Sequence, residues 1–199
     1  SLVDSERTKM YQAESCRMEL KKSLISLDDW LKTLETKVVI EEINETNLQR
    51  ASQLFNKTNQ MNLSTRRMTE TELVDWGKEK NRHIWTVCVS DKFGDSGLTG
   101  LVGIEYNGNK IQVIDFLLSC RVMGRKVEEM MLHIVSEYGR SLKLKMLTAC
   151  YLVTEKNNPC YAFWKKSGFK HDEKTDTFMW SLDRPYPQPD CIQIVNRGG

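Results

Sequence analysis

The most constraining feature of the chain is a stretch of strand-like sequence that turns back on itself at one dipeptide. Residues 100–118, GLVGIEYNGNKIQVIDFLL, are rich in apolar residues on both sides of Asn107-Gly108. Asn-Gly favours a two-residue turn between antiparallel strands, because both turn positions need a positive φ. The alternating segment HIWTVCVSD, residues 83–91, comes before it, and DKFGDSG, residues 91–97, has the composition of a turn. The sequence therefore predicts three consecutive antiparallel strands.

The segments around these strands predict helices and further strands. Three helix starts carry a hydroxyl residue followed three positions later by an acidic or amide residue: Ser26/Asp29, Thr46/Gln49 and Thr69/Glu72. They predict helices over residues 26–35, 47–58 and 69–80. Apolar residues at helical spacing predict a one-sided helix that contains Val127, Met130, Met131, Ile134, Val135 and Tyr138. Asn158 and Pro159 predict the start of a last helix, which ends at Gly168.

Strands are also predicted over residues 36–43, 146–153 and 176–182. From residue 36 the order is strand, helix, helix, three antiparallel strands, helix, strand, helix, strand. This order predicts an α+β fold in which helices flank a mixed, mostly antiparallel sheet. Residues 1–25 are rich in helix formers but poor in apolar periodicity, which predicts a helix that needs another element to pack on.

Composition excludes several classes of protein. Hydrophobic residues make up 40% of the 199 residues, enough for a core, and the net charge of +2 with no basic block argues against a nucleic-acid partner. No apolar run approaches ~18 residues, so no membrane span is predicted. The six cysteines are scattered without a C-x-x-C pair, and there are three histidines, so reduced cytoplasmic thiols and no metal site are expected.

The stretch LLSCRVMGRKVEE, residues 117–129, connects a predicted strand to the one-sided helix. Unpaired amides and the helix dipole make such a helix start attractive to phosphate. Gly124 would let the backbone approach a ligand closely, and Arg121 and Arg125 could add charge. The alternative is an ordinary connection whose basic residues are solvated.

The spacing Arg121-x-x-Gly124 resembles the pyrophosphate loop of the GNAT acyltransferases, with Lys126 where that pattern has Gly or Ala. The segment NNPCYAFWKKSGF, residues 157–169, is similar to a later motif of the same superfamily. A closer resemblance, to the C-terminal half of FkbH-like proteins, rests on segments that match in order: RTKMYQAE, SLDDWLKTLE, FNKTNQMNLSTRRMTETEL, DKFGDSGLTG and FLLSCRVMGRKVEE.

The resemblance to FkbH-like proteins implies a HAD-type phosphatase domain followed by a GNAT-like domain. Such proteins are associated with loading glyceryl units, from a phosphorylated glycerate donor, onto acyl carrier proteins in polyketide-type pathways. The Asp-x-Asp hallmark of the HAD domain does not occur in this sequence. The expected division is a helical linker from a preceding domain at residues 1–35, a GNAT-like domain at 36–182 and an extended tail at 183–199.

The resemblance also implies positions that bind the phosphopantetheine of CoA or of an acyl carrier protein. The thiol arm is expected along Leu117, Leu118 and Ser119. The pyrophosphate is expected at Arg121, Gly124, Arg125 and Lys126, and the later segment contributes Asn157 and Phe163. Trp164 stands where many GNAT enzymes have a Tyr general acid, and an indole N–H is a poor proton donor to a leaving thiolate.

Two residues are candidates for catalysis. Cys120 lies near the expected thiol, where the positive potential of a helix start would favour a thiolate, so it could carry an acyl thioester. Asp115 lies mid-strand, near where GNAT enzymes place a base. The alternative interpretations are a buried, inert thiol and a satisfied structural carboxylate.

The polar loop TNQMNLSTRR, residues 58–67, is a candidate for acceptor-substrate binding. Its amides and guanidiniums suit phosphate or carboxylate groups, and its candidate residues are Asn59, Gln60, Asn62, Arg66 and Arg67. The alternative is a loop whose side chains cap helix ends.

Three functions remain open from the sequence. The first is a GNAT-like acyltransferase domain that binds phosphopantetheine and transfers a small acyl or glyceryl unit with an acyl carrier protein. The second is a non-catalytic domain that docks a carrier protein. The third is an N-acetyltransferase that uses acetyl-CoA.

Overall fold

The computed structural model describes residues 2–23 and 26–195, and the side chains from residue 5 onward. The helices are α1 (Leu2–Ser23), α2 (Leu27–Thr33), α3 (Leu48–Lys57), α4 (Glu70–Trp76), α5 (Val127–Ser141) and α6 (Asn158–Lys166). The strands are β1 (Thr36–Glu42), β2 (Met61–Asn62), β3 (Arg82–Asp91), β4 (Gly94–Asn107), β5 (Lys110–Leu118), β6 (Met146–Cys150), β7 (Lys170–Asp172), β8 (Thr177–Ser181) and β9 (Ile192–Ile194).

The strands form one mixed sheet in the order β7-β8-β6-β5-β4-β3-β1-β9. The pairs β5/β6 and β1/β9 are parallel, whereas the other pairs of the sheet are antiparallel. Strand β2 also pairs with β5. The predicted α+β class, with a mostly antiparallel sheet and flanking helices, is confirmed.

The predicted hairpin at Asn107-Gly108 is confirmed. Its turn lies one residue later than predicted: Asn107 ends β4 opposite Lys110, so the turn residues are Gly108 and Asn109, and of the predicted pair only Gly108 has a positive φ, +59°. The turn predicted over residues 91–97 is shorter than expected, because β4 already begins at Gly94. The carboxylate of Asp91 closes it by accepting hydrogen bonds from the amides of Phe93 (2.9 Å) and Gly94 (3.2 Å).

Two of the three predicted caps are confirmed. The Ser26 hydroxyl accepts from the amide of Asp29, and Thr69 with Glu72 forms a complete capping box. The Thr46/Gln49 box is wrong, since Asn47 is the N-cap of α3. The amide of Thr46, which the box would pair with the side chain of Gln49, donates to the side chain of Asn44 instead. Helix α4 ends at Trp76 rather than residue 80.

The helices that follow β5 and β6 were predicted at the right places. Helix α5 buries the expected Val127, Met130, Met131 and Val135. The last helix has Asn157 rather than Asn158 as its N-cap. Strand β6 ends at Cys150, three residues before its predicted end, and strands β2, β7 and β9 were not predicted.

The segments that flank residues 36–182 both contact the sheet. Buried Arg17 of α1 donates two hydrogen bonds to Asp91, at 2.7 and 2.9 Å, and Trp30 Nε1 donates to the carbonyl of Arg17. In the tail, Ile192 pairs with Thr36, and Tyr186 is buried. Residues 196–199 lie outside the described part, and the division into linker, domain and tail stays a prediction.

Apolar side chains form two main clusters that sit on opposite faces of the sheet. One includes Trp85, Val87 and Val89 of β3 together with α5 and α6. The other includes Leu101 and Leu117 together with α3 and α4. Within residues 2–23 and 26–195, no helix has the length and apolar character needed to cross a membrane.

Candidate functional site

The candidate site begins where β5 and β6 stop pairing. The two parallel strands pair from Lys110/Met146 to Val113/Ala149, whereas β5 continues to Leu118. The remaining edge of β5 is therefore open to another partner. We call this place, between the end of β5 and the chain that follows β6, the wedge.

The wedge is bridged by residues 61–63. Met61 and Asn62 pair with Leu118 and Leu117. The amide of Leu63 then donates to the carbonyl of Phe116 (3.2 Å), and the carbonyl of Leu63 accepts from the amide of Leu152 (3.1 Å). A short piece of the chain itself thus lies between the diverging strands.

This bridge bears on the three positions predicted to hold a thiol arm. Leu117 and Leu118 are fully buried and pair with β4 on one edge and β2 on the other. The amide of Ser119 donates to the carbonyl of Thr99 (2.7 Å). In the described conformation the chain itself occupies the strand edge that was expected to bind an external ligand.

Asn157 holds the bridge in place. It is fully buried, and its Nδ2 donates to the carbonyls of Asn62 (2.9 Å) and Leu152 (2.8 Å). Its Oδ1 accepts from the Tyr151 hydroxyl (2.7 Å) and from the amide of Thr154 (2.8 Å). All four hydrogen-bonding positions of the amide are used. Asn157, predicted to bind a cofactor, therefore ties the bridge to the chain after β6.

The loop before α5 has the open backbone that was predicted. Gly124 is exposed with a φ of +74°, and Lys126 has a φ of +67°. The amide of Gly124, however, donates to Oε1 of Glu128 at 2.8 Å. Glu128 is 4% exposed, and burial raises the pKa of its carboxyl from 4.5 to about 7. An internal carboxylate thus lies at the predicted phosphate position.

The basic residues of this loop have separate environments. Arg125 is buried, and its guanidinium binds Asp91 (3.1 Å), Glu14 (3.2 Å) and the carbonyl of Arg121. Instead of contacting a pyrophosphate, as predicted, Arg125 joins Glu14 of α1 to Asp91 at the end of β3. Arg121 is exposed, and Lys126 binds Glu129 at 3.0 Å.

Asp115, predicted as a base, is fully buried in a polar cluster. Its Oδ1 accepts from the Ser64 hydroxyl (2.6 Å) and from Arg66 Nε (3.0 Å), and its Oδ2 accepts from Arg66 Nη2. Because a two-point guanidinium contact and a hydroxyl engage both oxygens, the carboxylate has no open path to an external proton donor.

The predicted acceptor-binding residues come together, but largely to bind one another. Arg66 binds Asp115, while Arg67 donates to Asn59 and to the carbonyls of Phe55 and Thr58 (3.2 Å for the last). Asn62 is buried and accepts from the amide of Thr65. The side chain of Gln60 is exposed, and its carbonyl accepts from the amide of Cys160. The loop-capping alternative accounts for most of these contacts.

Of the remaining positions discussed from the sequence, Cys120 lies at the surface, whereas Trp164 lies in the core and Phe163 packs against it. Cys120 is exposed two residues after the end of β5, so the predicted alternative of a buried thiol is wrong. Phe163 stacks on Phe116, with ring centroids 5.8 Å apart. Trp164 is fully buried. Sequence reasoning missed Ser64, Leu63 and Glu128, and the only local signal was the acidic residue in the first turn of α5.

Solved structures share this architecture at low sequence identity. A domain from Methanocaldococcus jannaschii is similar over 73% of this chain and 99% of its own, with 15% identity and a TM-score of 0.57. A GNAT-family acetyltransferase from Staphylococcus aureus has 11% identity and a TM-score of 0.55, over 73% and 99% of the two chains. The chain has the GNAT fold.

A spermidine N-acetyltransferase from Vibrio cholerae in complex with CoA and spermine shares the GNAT fold as well. It has 13% identity and a TM-score of 0.55, over 73% of this chain and 96% of its own. Identities this low establish the fold alone. No model of a protein family matches the chain, and neither does any curated protein. In the described residues, no group of three or more His, Cys, Asp or Glu side chains is arranged to hold a metal ion.

The residues of this GNAT-fold chain do not fit the diphosphate of CoA in the described conformation. A diphosphate needs free N–H donors and cations, whereas the Gly124 amide binds Glu128 and Arg125 is buried in ion pairs. The thiol arm was predicted along the strand edge at Leu117 and Leu118, and this edge pairs with residues 61–62.

Proposed function

We propose that this chain acts in acyl transfer and exchanges a small acyl or glyceryl unit with the phosphopantetheine thiol of an acyl carrier protein. The GNAT fold and the resemblance to FkbH-like proteins support this function. The same resemblance supports a preceding HAD-type phosphatase domain as a further partner.

The exposure of Cys120 at the end of β5 is the observation that carries the proposal. The wedge behind this thiol is bridged by residues 61–63, so a carrier thioester would meet Cys120 from the protein surface. Cys120 Sγ would attack the thioester carbonyl, the bond from carbonyl carbon to carrier sulfur would break, and the carrier thiol would leave with the proton. The acyl group would then be a thioester of Cys120.

A second candidate function is a non-catalytic domain that docks the carrier protein. The bridged wedge and the engaged oxygens of Asp115 favour this candidate, because neither leaves room for chemistry in the interior of the fold.

Intact-mass measurement of the chain after incubation with acyl-loaded carrier protein tests both candidates. An acyl adduct that is lost in Cys120→Ala and kept in Cys150→Ala, which removes another exposed thiol, supports transfer. Carrier binding without an adduct supports docking. Neither binding nor adduct refutes both, and consumption of acetyl-CoA with an amine would instead support the N-acetyltransferase alternative.

A further inference from the structure

The loop before α5 contains its own anion. Glu128 is the second residue of α5, and its side chain folds back so that Oε1 accepts from the Gly124 amide at 2.8 Å. Gly124 lies two residues before Lys126, the N-cap of α5, and the helix dipole attracts negative charge to this end of the helix. Glu128 therefore uses the same attraction that would bind an external phosphate.

The contacts of Glu128 are incomplete on its other side. Its Oε2 is buried without a hydrogen-bond partner among the residues that the structure describes. A buried carboxylate oxygen without a partner costs stability, so Glu128 is not explained as a residue that simply stabilises the helix start. Instead, the position of its carboxylate at the Gly124 amide affects which anions the loop can bind.

The charges around the loop also disfavour a second anion. The guanidinium of Arg125 binds Asp91 and Glu14, and Lys126 Nζ binds Glu129 at 3.0 Å, so both cations are already paired with carboxylates. A diphosphate that bound the Gly124 amide would displace the carboxylate of Glu128 and would lie close to the carboxylate of Glu129. Like charges at such a distance oppose binding, and the remaining cation, Arg121, is exposed and screened by solvent.

We propose that Glu128 determines which thiol partner the chain accepts, because its carboxylate occupies the anion position of the loop and excludes the diphosphate of free CoA. This inference rests on the proposed function. The thiol partner is then the phosphopantetheine of a carrier protein, whose single phosphodiester is held by the carrier and needs no contact with the Gly124 amide. Free CoA, which has the same thiol arm, is rejected at its diphosphate.

The experiment measures binding of inorganic pyrophosphate and of CoA to the whole chain by calorimetry at about pH 8, above the pKa of about 7 of the Glu128 carboxyl, in wild type, Glu128→Ala and Glu128→Gln. The Ala variant frees the Gly124 amide and removes the charge, whereas the Gln variant removes the charge but keeps an oxygen near that amide. Glu137→Gln, at the far end of α5 and exposed, is the control for net charge.

We expect wild type and Glu137→Gln to bind pyrophosphate and CoA weakly, and Glu128→Ala to bind both at least about tenfold more tightly, since the variant frees the Gly124 amide and removes a like charge from the loop. Glu128→Gln should fall between them. Pyrophosphate affinity that is equal in wild type and Glu128→Ala, with circular dichroism showing both folded, overturns the inference. An equal gain in Glu137→Gln overturns it as well.

The result separates this inference from the proposed function. Pyrophosphate binding does not require a carrier protein or acyl transfer. A gain in Glu128→Ala without any acyl adduct on the chain would uphold the anion position and refute transfer. An acyl adduct formed from the carrier, with no gain in pyrophosphate affinity in Glu128→Ala, would support transfer and refute the role of Glu128 at the anion position.

Discussion

The carboxyl of Glu128 provides a test of the loop geometry by stability alone. The perturbation is Glu128→Gln, which keeps the shape of the side chain and an oxygen that can accept from the Gly124 amide. It removes the ionisation of a group that is 4% exposed. Desolvation by burial is the main cause that raises its pKa, opposed by the hydrogen bond from Gly124; Glu129 raises it further and Lys126 lowers it.

The magnitude follows from the pKa values of the folded and unfolded chain. The carboxyl has a pKa of 4.5 when solvated and about 7 in the fold. Since one pKa unit corresponds to about 1.4 kcal/mol, the ionised carboxylate costs the folded state about 3 kcal/mol. Because the pKa is raised in the fold, the protonated carboxyl contributes to the free energy of unfolding. This contribution is fully present below pH 4.5 and is lost as the pH rises through about 7.

We therefore expect wild type and Glu128→Gln to have similar free energies of unfolding near pH 4.5 to 5 and to diverge above it. At about pH 8 the Gln variant should be more stable by about 3 kcal/mol. Urea unfolding at a series of pH values measures this difference, and Glu137→Gln, at an exposed position of the same helix, is the control for the loss of one acidic side chain. A difference for Glu128→Gln that does not change with pH would refute the argument from burial.

Three further predictions concern the bridge, the polar cluster and the thiols. Asn157→Ala should lower the free energy of unfolding by about 3–5 kcal/mol, because it leaves buried partners unsatisfied; a loss below about 1 kcal/mol in urea unfolding would contradict the four contacts. Asp115→Asn should cost about 2–3 kcal/mol in thermal unfolding, and additive effects with Arg66→Gln in a double-mutant cycle would argue against their pairing. Burial raises the pKa of the Cys160 thiol to about 12, so a maleimide should label Cys120 in the native protein and Cys160 only after unfolding, as peptide mass spectrometry would show. Equal native labelling of both would speak against the burial of Cys160.

The candidate site was harder to predict than the fold for a physical reason. Gly124 and Lys126 have the positive φ values expected of an open loop, and Cys120 is exposed at the end of β5. Whether such a loop can bind an anion depends on which side chains reach it. The sequence pattern predicted that Arg125 would face the loop, whereas its guanidinium binds Asp91, which lies on a different element.

Local features of the sequence determined most of the secondary structure. The turn at Gly108 and the box of Thr69 with Glu72 depend on residues a few positions apart. The helical spacing in α5 likewise produces one buried face wherever the helix packs. These features predicted the order of the main elements, and that order is the one of the GNAT fold.

Tertiary structure alone decided what fills the site. The pairing of Met61 with Leu118 and the hydrogen bond of Asn157 to Asn62 join residues far apart in the chain, and no short-range pattern encodes them. Glu128 is near Gly124 in sequence, but its burial depends on the packing of the whole helix start. Long-range contacts are selected by how well the complete fold satisfies buried polar groups, and here they bridged the wedge and placed a carboxylate at the loop.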